Sequence, residues 1–135
     1  MLADLLDLVL PRHCVGCRRP GTALCAACAA VAVVNASLEG LHVVAAAPYE
    51  GGLRTALIAY KERGRRDLAR PLRALLAAAV TALGCPDAVL VPVPSRAAAR
   101  RERGADHVRR LVGRRGVPAL RLGRTVRDSA GLDTA

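Results

Sequence analysis

The sequence has 135 residues, a formal net charge of +10 and 53% hydrophobic residues. This composition excludes a disordered tail, and the length allows one modest domain with a small appendage. No apolar stretch reaches the ~18 residues that a membrane-spanning helix needs, and the N-terminus lacks the basic start of a secretory signal, so we expect a cytoplasmic protein with no membrane span.

The first predicted element is a short amphipathic helix over residues 2–10. Its apolar residues follow a helical repeat that stops at Pro11. They are Leu2, Leu5, Leu6, Val9 and Leu10. We expect this helix to dock on the segments that follow it.

Four of the five cysteines come next, in two CxxC pairs separated by seven residues. They are Cys14, Cys17, Cys25 and Cys28. The two thiolates of a CxxC pair can both reach one metal ion from a tight turn, and two such turns complete the tetrahedral four-cysteine site that Zn²⁺ prefers. Pro20 and Gly21 mark a turn that folds the second pair back onto the first. The pattern predicts a structural zinc site.

Disulfide-bonded, redox-active and inert cysteines are the alternatives to a zinc site. A disulfide needs an oxidising compartment, which the N-terminus does not predict. His13 could replace one cysteine as a ligand, although four cysteines already fill a tetrahedral site. The fifth cysteine, Cys85, is predicted to be a buried or loop thiol.

The rest of the chain predicts alternating strands and helices. In order these are a connection over 35–40, a strand over 41–47, helices over 51–64 and 67–83, a strand over 88–93, one or two basic helices that end near Gly113 or Gly116, and a weak strand over 117–122. Asp67 and Ser95 are candidate N-caps, and Gly104 is expected to break the basic helix. The apolar run over 88–93 is typical of a strand buried on both faces of a parallel sheet. This order makes α/β the expected fold class.

The positive charge is concentrated between residues 96 and 127, where eleven arginines face only Glu102 and Asp106. Such a segment suits phosphate groups or a nucleic-acid backbone. Proteins that bind single strands usually combine basic residues with aromatic ones, and this segment contains no aromatic residue. A solvated basic face with no dedicated partner is the alternative.

Taken in order, these segments resemble the ComF family of bacterial competence proteins, also seen as GntX-like proteins. The similarity runs through the cysteine pairs and then through YEGGLR (49–54), AYKERG (59–64), VPVP (91–94), RRERG (100–104) and RDSAGL (127–132). The resemblance implies an N-terminal helix and zinc ribbon over 1–34 and a phosphoribosyltransferase-like α/β domain over 41–135. It also implies a role in DNA uptake, with a competence helicase or single-stranded DNA as partner.

Five basic residues are the candidate phosphate contacts: Lys61, Arg63, Arg100, Arg101 and Arg103. The first two lie in a cationic loop able to meet a pyrophosphate. The other three would lie beyond the carboxyl end of the strand over 88–93, where ligands bind in open α/β sheets. The planar guanidinium fork of arginine gives phosphate two parallel hydrogen bonds. A solvated helix face is the alternative for both clusters.

The sequence departs from the family pattern in two places. The family's Phe-Asn-Gln after Arg-Gly is replaced by Ala105, Asp106 and His107, of which the histidine offers a partial substitute for the glutamine. The phosphoribosyl pyrophosphate signature, two adjacent acidic residues followed by Thr-Thr-Gly, is missing. We therefore expect a C-terminally truncated and catalytically incomplete member, in which no catalytic residue is assigned and Mg²⁺ and phosphoribosyl pyrophosphate belong only to full-length relatives. The oligomeric state is not predicted.

Overall fold

The computed structural model describes residues 12–85, 87–104, 106–121 and 123. Within these ranges the two cysteine pairs precede a β-hairpin and four helices. The elements are β1 (Val34–Leu38), β2 (Leu41–Ala45), α1 (Gly51–Glu62), α2 (Ala69–Ala82), α3 (Ala97–Arg103) and α4 (His107–Val112), with 3₁₀ turns at Arg66–Leu68 and Gly113–Arg115. The helix predicted over 2–10 and the RDSAGL stretch lie outside the described residues.

The β-hairpin is the two-stranded antiparallel sheet of the described region. Its turn consists of Glu39 and Gly40, both with positive φ (47° and 82°), as a two-residue hairpin turn requires. The prediction of a connection over 35–40 is therefore wrong, because most of it forms β1. The strand predicted over 41–47 is confirmed as β2, although it ends two residues earlier.

The core lies between α1 and α2. Buried residues of α1 pack against buried residues at and after the 3₁₀ turn, namely Ala56, Ala59 and Tyr60 against Leu68, Leu72 and Leu75. The helix α2 also contacts β2 and α4. This part of the core is built mostly from alanine and leucine, together with Tyr60.

The start of α2 differs from its prediction. Asp67 does not cap the helix, because it lies in the 3₁₀ turn and α2 begins at Ala69. The Asp67 carboxylate instead accepts from the guanidinium of Arg65, at 2.7 Å from Nη2. This ion pair closes the turn between the end of α1 and the start of α2.

The predicted parallel sheet is absent from the described residues. The segment over 88–93 makes a single parallel bridge, between Leu90 and Gly116, supported by a 2.9 Å hydrogen bond from the Val117 N–H to the Leu90 carbonyl. Within 117–121, no strand follows this bridge. The side chains of Val89 and Val93 are 65% and 64% exposed. A strand buried on both faces needs a hydrogen-bonded neighbour and a covering layer on each side. The segment over 88–93 has one bridged neighbour and is only partly covered, so it does not form a strand paired along its length.

The basic helix is broken where expected. The helix α3 ends before Gly104, whose φ of 68° terminates it, and α4 follows. Ser95 is not the N-cap of α3, because Arg96 occupies that position. The Ser95 hydroxyl and N–H instead donate to the carboxylate of Asp106, which also caps α4 by accepting from the N–H of Arg109. None of the helices described is long and apolar enough to cross a membrane.

Candidate metal centre

The first cysteine pair lies in a short hairpin whose ends are joined by an antiparallel bridge between His13 and Pro20. The Cys14 N–H donates to the Arg19 carbonyl at 2.7 Å, and the Arg18 N–H donates to the Cys14 carbonyl at 2.9 Å. Arg18 adopts a φ of 65°, the left-handed conformation that lets the chain turn back after the pair. The turn holds both thiols of the pair on one side.

The second pair is brought against the first by the backbone. The Val15 N–H donates to the Ala23 carbonyl at 2.9 Å, which aligns the two segments. The Ala29 N–H then donates to the Cys25 carbonyl at 2.9 Å, which closes one helical turn around the second pair. The turn that Pro20 and Gly21 predict between the pairs is therefore confirmed.

The four thiols of Cys14, Cys17, Cys25 and Cys28 converge, with all their Sγ atoms within 4.8 Å of one another. The Sγ atoms of Cys17 and Cys25 are 3.5 Å apart. Tetrahedral Zn²⁺ with Zn–S bonds of ~2.3 Å holds its sulfurs ~3.8 Å apart, whereas a disulfide requires ~2.05 Å. All four cysteines are free thiols. The arrangement is therefore that of a group able to bind a metal ion.

The centre has an inner and an outer side. Cys14 and Cys25 are 0% and 5% exposed and belong to the core cluster, whereas Cys17 is exposed and Cys28 is half-buried. His13 is exposed and does not join the thiol group.

Cys85 is an exposed loop thiol between α2 and the extended segment, so the prediction of a loop thiol is confirmed and that of a buried thiol is wrong.

Hydrogen bonds favour ionisation on the inner side. Burial opposes ionisation of Cys14, but the backbone N–H groups of Cys25, Cys17 and Gly16 outweigh it and lower the pKa of this thiol to about 6. The Cys25 N–H lies 3.3 Å from the Cys14 Sγ. The N–H of Cys28 and the thiol of Cys17 likewise lower the pKa of Cys25. Burial and the neighbouring thiols raise the pKa of Cys28 to about 12. A divalent cation is what allows such crowded thiols to ionise together.

Two glycines, Gly16 and Gly52, pack directly against Cys28. A Cβ placed on Gly52, in the first turn of α1, would lie 2.7 Å from the Cβ and 2.8 Å from the Sγ of Cys28. A Cβ placed on Gly16 would lie 2.8 Å from the Cys28 Sγ and 2.8 Å from the Gly52 Cα. Only glycine fits at these two positions. The cysteine group therefore contacts the N-terminal end of α1 through Cys28 and Gly52. Neither glycine has a sequence signal that marks it as part of the cysteine group.

The candidate phosphate contacts are at the other end of α1 and in α3. Lys61, Arg63, Arg100 and Arg101 are exposed, and Arg103 is the last residue of α3. The Lys61 Nζ lies 3.9 Å from a Glu62 carboxylate oxygen. The role of these residues in phosphate binding stays a prediction.

One further arginine links the two basic segments. A Cβ placed on Gly104 would lie 4.0 Å from the Nη2 atom of Arg66, so the loop after α1 reaches the end of α3. Its neighbour Arg65 is already engaged with Asp67, which raises the pKa of Arg65 and lowers that of Asp67. We call the exposed set Lys61, Arg63, Arg66, Arg100 and Arg101 the basic face. The approach of Arg66 to α3 has no signal in the sequence pattern.

The departure at residues 105–107 has a structural role at its two described positions. Asp106 ties α4 to Ser95, as described above. The ring of His107 packs edge-on against Tyr60, with centroids 5.0 Å apart and an angle of 87°, and the Tyr60 hydroxyl donates to the His107 carbonyl at 3.2 Å. Burial raises the pKa of Tyr60. These residues hold α4 on α1.

Comparison with known proteins yields no relative. No known protein family, curated protein or solved structure matches the chain. What the structure supports is a mixed helical and small-sheet fold with four cysteines positioned to bind a metal ion near the start of the chain.

Proposed function

We propose that the chain is a zinc-binding protein whose four-cysteine centre has a structural role. The convergence of four free thiols within 4.8 Å carries the proposal. Four thiolates satisfy tetrahedral Zn²⁺ completely and leave no coordination position for water or substrate, as in structural sites. The half-exposed position of the centre gives the ion a path of entry.

The need for such an ion follows from the small number of other interactions in this region. Among residues 12–30 the buried side chains are Cys14, Leu24 and Cys25. A segment with so little apolar area to bury depends on a metal or disulfides for its fold. Zinc would hold the two turns at a fixed distance and would favour the thiolate form of all four ligands.

Metal analysis of the purified protein tests the zinc site. We expect about one zinc ion per chain for a site of four cysteines. The variant Cys14→Ser should lose the metal and the thiolate charge-transfer absorption that Co²⁺ produces when it replaces zinc. Cys85→Ser is the matched control, because its exposed thiol is outside the group. Equal metal content in the wild type and both variants would overturn the proposal.

We further propose that the protein is ComF-like, a phosphoribosyltransferase-family protein associated with DNA uptake whose transferase chemistry is incomplete in this chain. The order of the cysteine pairs, VPVP and RRERG supports this assignment. Removal of the gene from a naturally competent host should lower its transformation frequency, and the wild-type gene should restore it. An unchanged frequency after removal would argue against the role.

The expectation that the chain does not bind phosphoribosyl pyrophosphate can be tested directly. The sequence has neither adjacent carboxylates to hold the ribose hydroxyls and Mg²⁺ nor a Thr-Thr-Gly loop to hold the 5′-phosphate. Isothermal titration with phosphoribosyl pyrophosphate and Mg²⁺ should therefore show no binding. A micromolar dissociation constant would contradict this expectation.

A second candidate function is binding of single-stranded DNA by the basic face. The approach of Arg66 to Gly104 favours it, because it brings the basic loop after α1 next to the end of the basic helix α3. Such binding should weaken steeply between low and moderate salt, because each neutralised phosphate releases a counterion. The double variant Arg100→Ala/Arg101→Ala should flatten this salt dependence.

The control for that variant is Arg114→Ala/Arg115→Ala, which removes two exposed charges from the same basic segment but outside the basic face. We expect the control to change affinity less at every salt concentration. Equal effects of the two double variants would identify a general charge effect and would argue against the basic face as the site.

A further inference from the structure

The two tyrosines are the only aromatic residues among Phe, Tyr and Trp in the sequence, and both line one groove. The groove has a volume of about 430 Å³ and lies where Tyr49 and α1 meet α4. This volume is within the ~300–1,000 Å³ range of pockets that hold small ligands.

The two rings have different roles. Tyr60 is buried and holds α4 through its contacts with His107. Tyr49 is 61% exposed at the edge of the groove. The guanidinium carbon of Arg54 lies 6.0 Å from the centroid of the Tyr49 ring. Because Arg54 lies over one face of this ring, the opposite face is the surface on which a flat, polar ligand can stack.

The groove has both apolar and charged lining residues. Leu57 and Leu111 are half-buried, and the side chains of Val108, Lys61 and Glu62 are exposed. Lys61 also belongs to the basic face, so the groove opens beside the surface proposed for phosphates. Its chemistry suits a ligand with an aromatic ring and an adjacent anionic group.

We propose that this groove binds one nucleotide unit of single-stranded nucleic acid, with the base stacked on Tyr49 and the phosphate near Arg54 and Lys61. The inference rests on the nucleic-acid function proposed above and adds the residue that receives the base. The segment of residues 96–127 contains no aromatic residue, but the fold supplies one from outside it, next to α4. A free nucleotide offers the same chemistry, so the test separates the two sources.

Anisotropy of a fluorescently labelled oligo(dT) measures the affinity. Tyr49→Ala should weaken binding about 10-fold, the size expected when one base loses its aromatic partner. Tyr49→Phe retains the ring and should recover most of the affinity. Leu41→Ala truncates another exposed apolar residue, on β2 and outside the groove, and should leave the affinity unchanged.

Tyrosine emission reports on the stacking itself, because the chain has no tryptophan. In a Tyr60→Phe background Tyr49 is the remaining tyrosine, and saturating oligo(dT) should quench its emission. Circular dichroism on each variant verifies the fold. Titration with dTMP is the second arm, and we expect at least 10-fold weaker binding than for the oligonucleotide.

The outcomes separate this inference from the function on which it rests. Salt-dependent binding that Tyr49→Ala leaves unchanged would overturn the groove and keep the basic face. Absence of any oligo(dT) binding by the wild type would overturn both. Equal affinity for dTMP and oligo(dT), with quenching by both, would overturn the single strand as the source of the nucleotide.

Discussion

The cysteine region and the segment over 88–121 differ in how their structure is determined. In the cysteine region two turns and four thiols converge through hydrogen bonds between residues close in sequence, such as Val15 with Ala23. In the later segment an apolar run that predicts a buried strand makes one bridge, to Gly116, and leaves its valines exposed. Contacts between residues close in sequence thus bring four cysteines together in a group that could hold a metal ion, whereas a parallel strand depends on neighbours supplied from elsewhere.

Metal removal should have the largest effect on stability, and the unfolding it causes should be confined to one region. Zinc-finger-type sites contribute ~10–16 kcal/mol of metal binding to the fold, so a chelator should unfold residues 12–30. Hydrogen exchange should then accelerate at the amides of Val15, Arg18 and Ala29, while α2 keeps most of its protection. Equal acceleration in α2 would show that the two regions fold as one unit.

Truncation of Leu68 should be the next largest effect. This side chain is fully buried between α1 and α2, so Leu68→Ala should lower the free energy of unfolding by ~2–5 kcal/mol in a urea titration. Val89→Ala is the comparison. Because Val89 is exposed, its replacement should change the free energy of unfolding by less than ~0.5 kcal/mol. A loss at Val89 as large as at Leu68 would mean that the segment over 88–93 is buried in solution.

A methyl group on Gly52 should have a smaller effect that links the metal centre to α1. Gly52→Ala forces a clash with Cys28, which should cost ~1–3 kcal/mol and weaken zinc binding in a chelator competition. In Gly51→Ala the new methyl group has no neighbour within 4 Å, so zinc binding should not weaken. The residue has a φ of 52°, which disfavours alanine and should cost ~1–2 kcal/mol of backbone strain. Identical zinc affinities in the two variants would contradict the direct contact.

The pair of Arg65 and Asp67 should have the smallest effect. The arginine lowers the pKa of Asp67, so the pair stabilises the fold above the ordinary aspartate pKa of ~3.9 and loses this contribution as pH falls through the lowered value. Because both side chains are about one-third exposed, the contribution should be well below 1 kcal/mol. In urea titrations between about pH 2 and 5, taken as a working range around that value, Asp67→Asn should remove this part of the pH dependence. An unchanged pH profile in that variant would show that the pair contributes nothing.

The parts of the structure that sequence could predict are those set by local patterns. The cysteine spacing predicted the thiol group, and the helical periodicity predicted α1 and most of α2. Gly104 predicted the break before α4. Each of these depends on residues within a few turns of one another.

The parts that sequence could not predict depend on residues brought together by the fold. Glu39 and Gly40 form a hairpin turn, but Glu-Gly is a weaker turn signal than Asn-Gly, so β1 was missed. The need for glycine at Gly16 and Gly52 becomes apparent only when α1 is placed on Cys28. Tyr49 joins the surroundings of α4 from nearly sixty residues away. In the sequence Asp106 is only a departure from the pattern of the family that the chain resembles. In the structure its carboxylate caps α4 and accepts hydrogen bonds from Ser95.

The position of α1 has a consequence for how the metal could influence the rest of the molecule. This helix of twelve residues, about 18 Å long, touches Cys28 through Gly52 at its start and carries Tyr60 and Lys61 at its end. The Tyr49 groove draws on both ends of this helix, because Tyr49 lies two residues before its start and Tyr60 and Lys61 lie at its end. If zinc and a nucleotide bind as proposed above, loss of the ion would loosen the start of α1 next to Tyr49, so that metal occupancy and nucleotide affinity would change together although the two sites share no ligand.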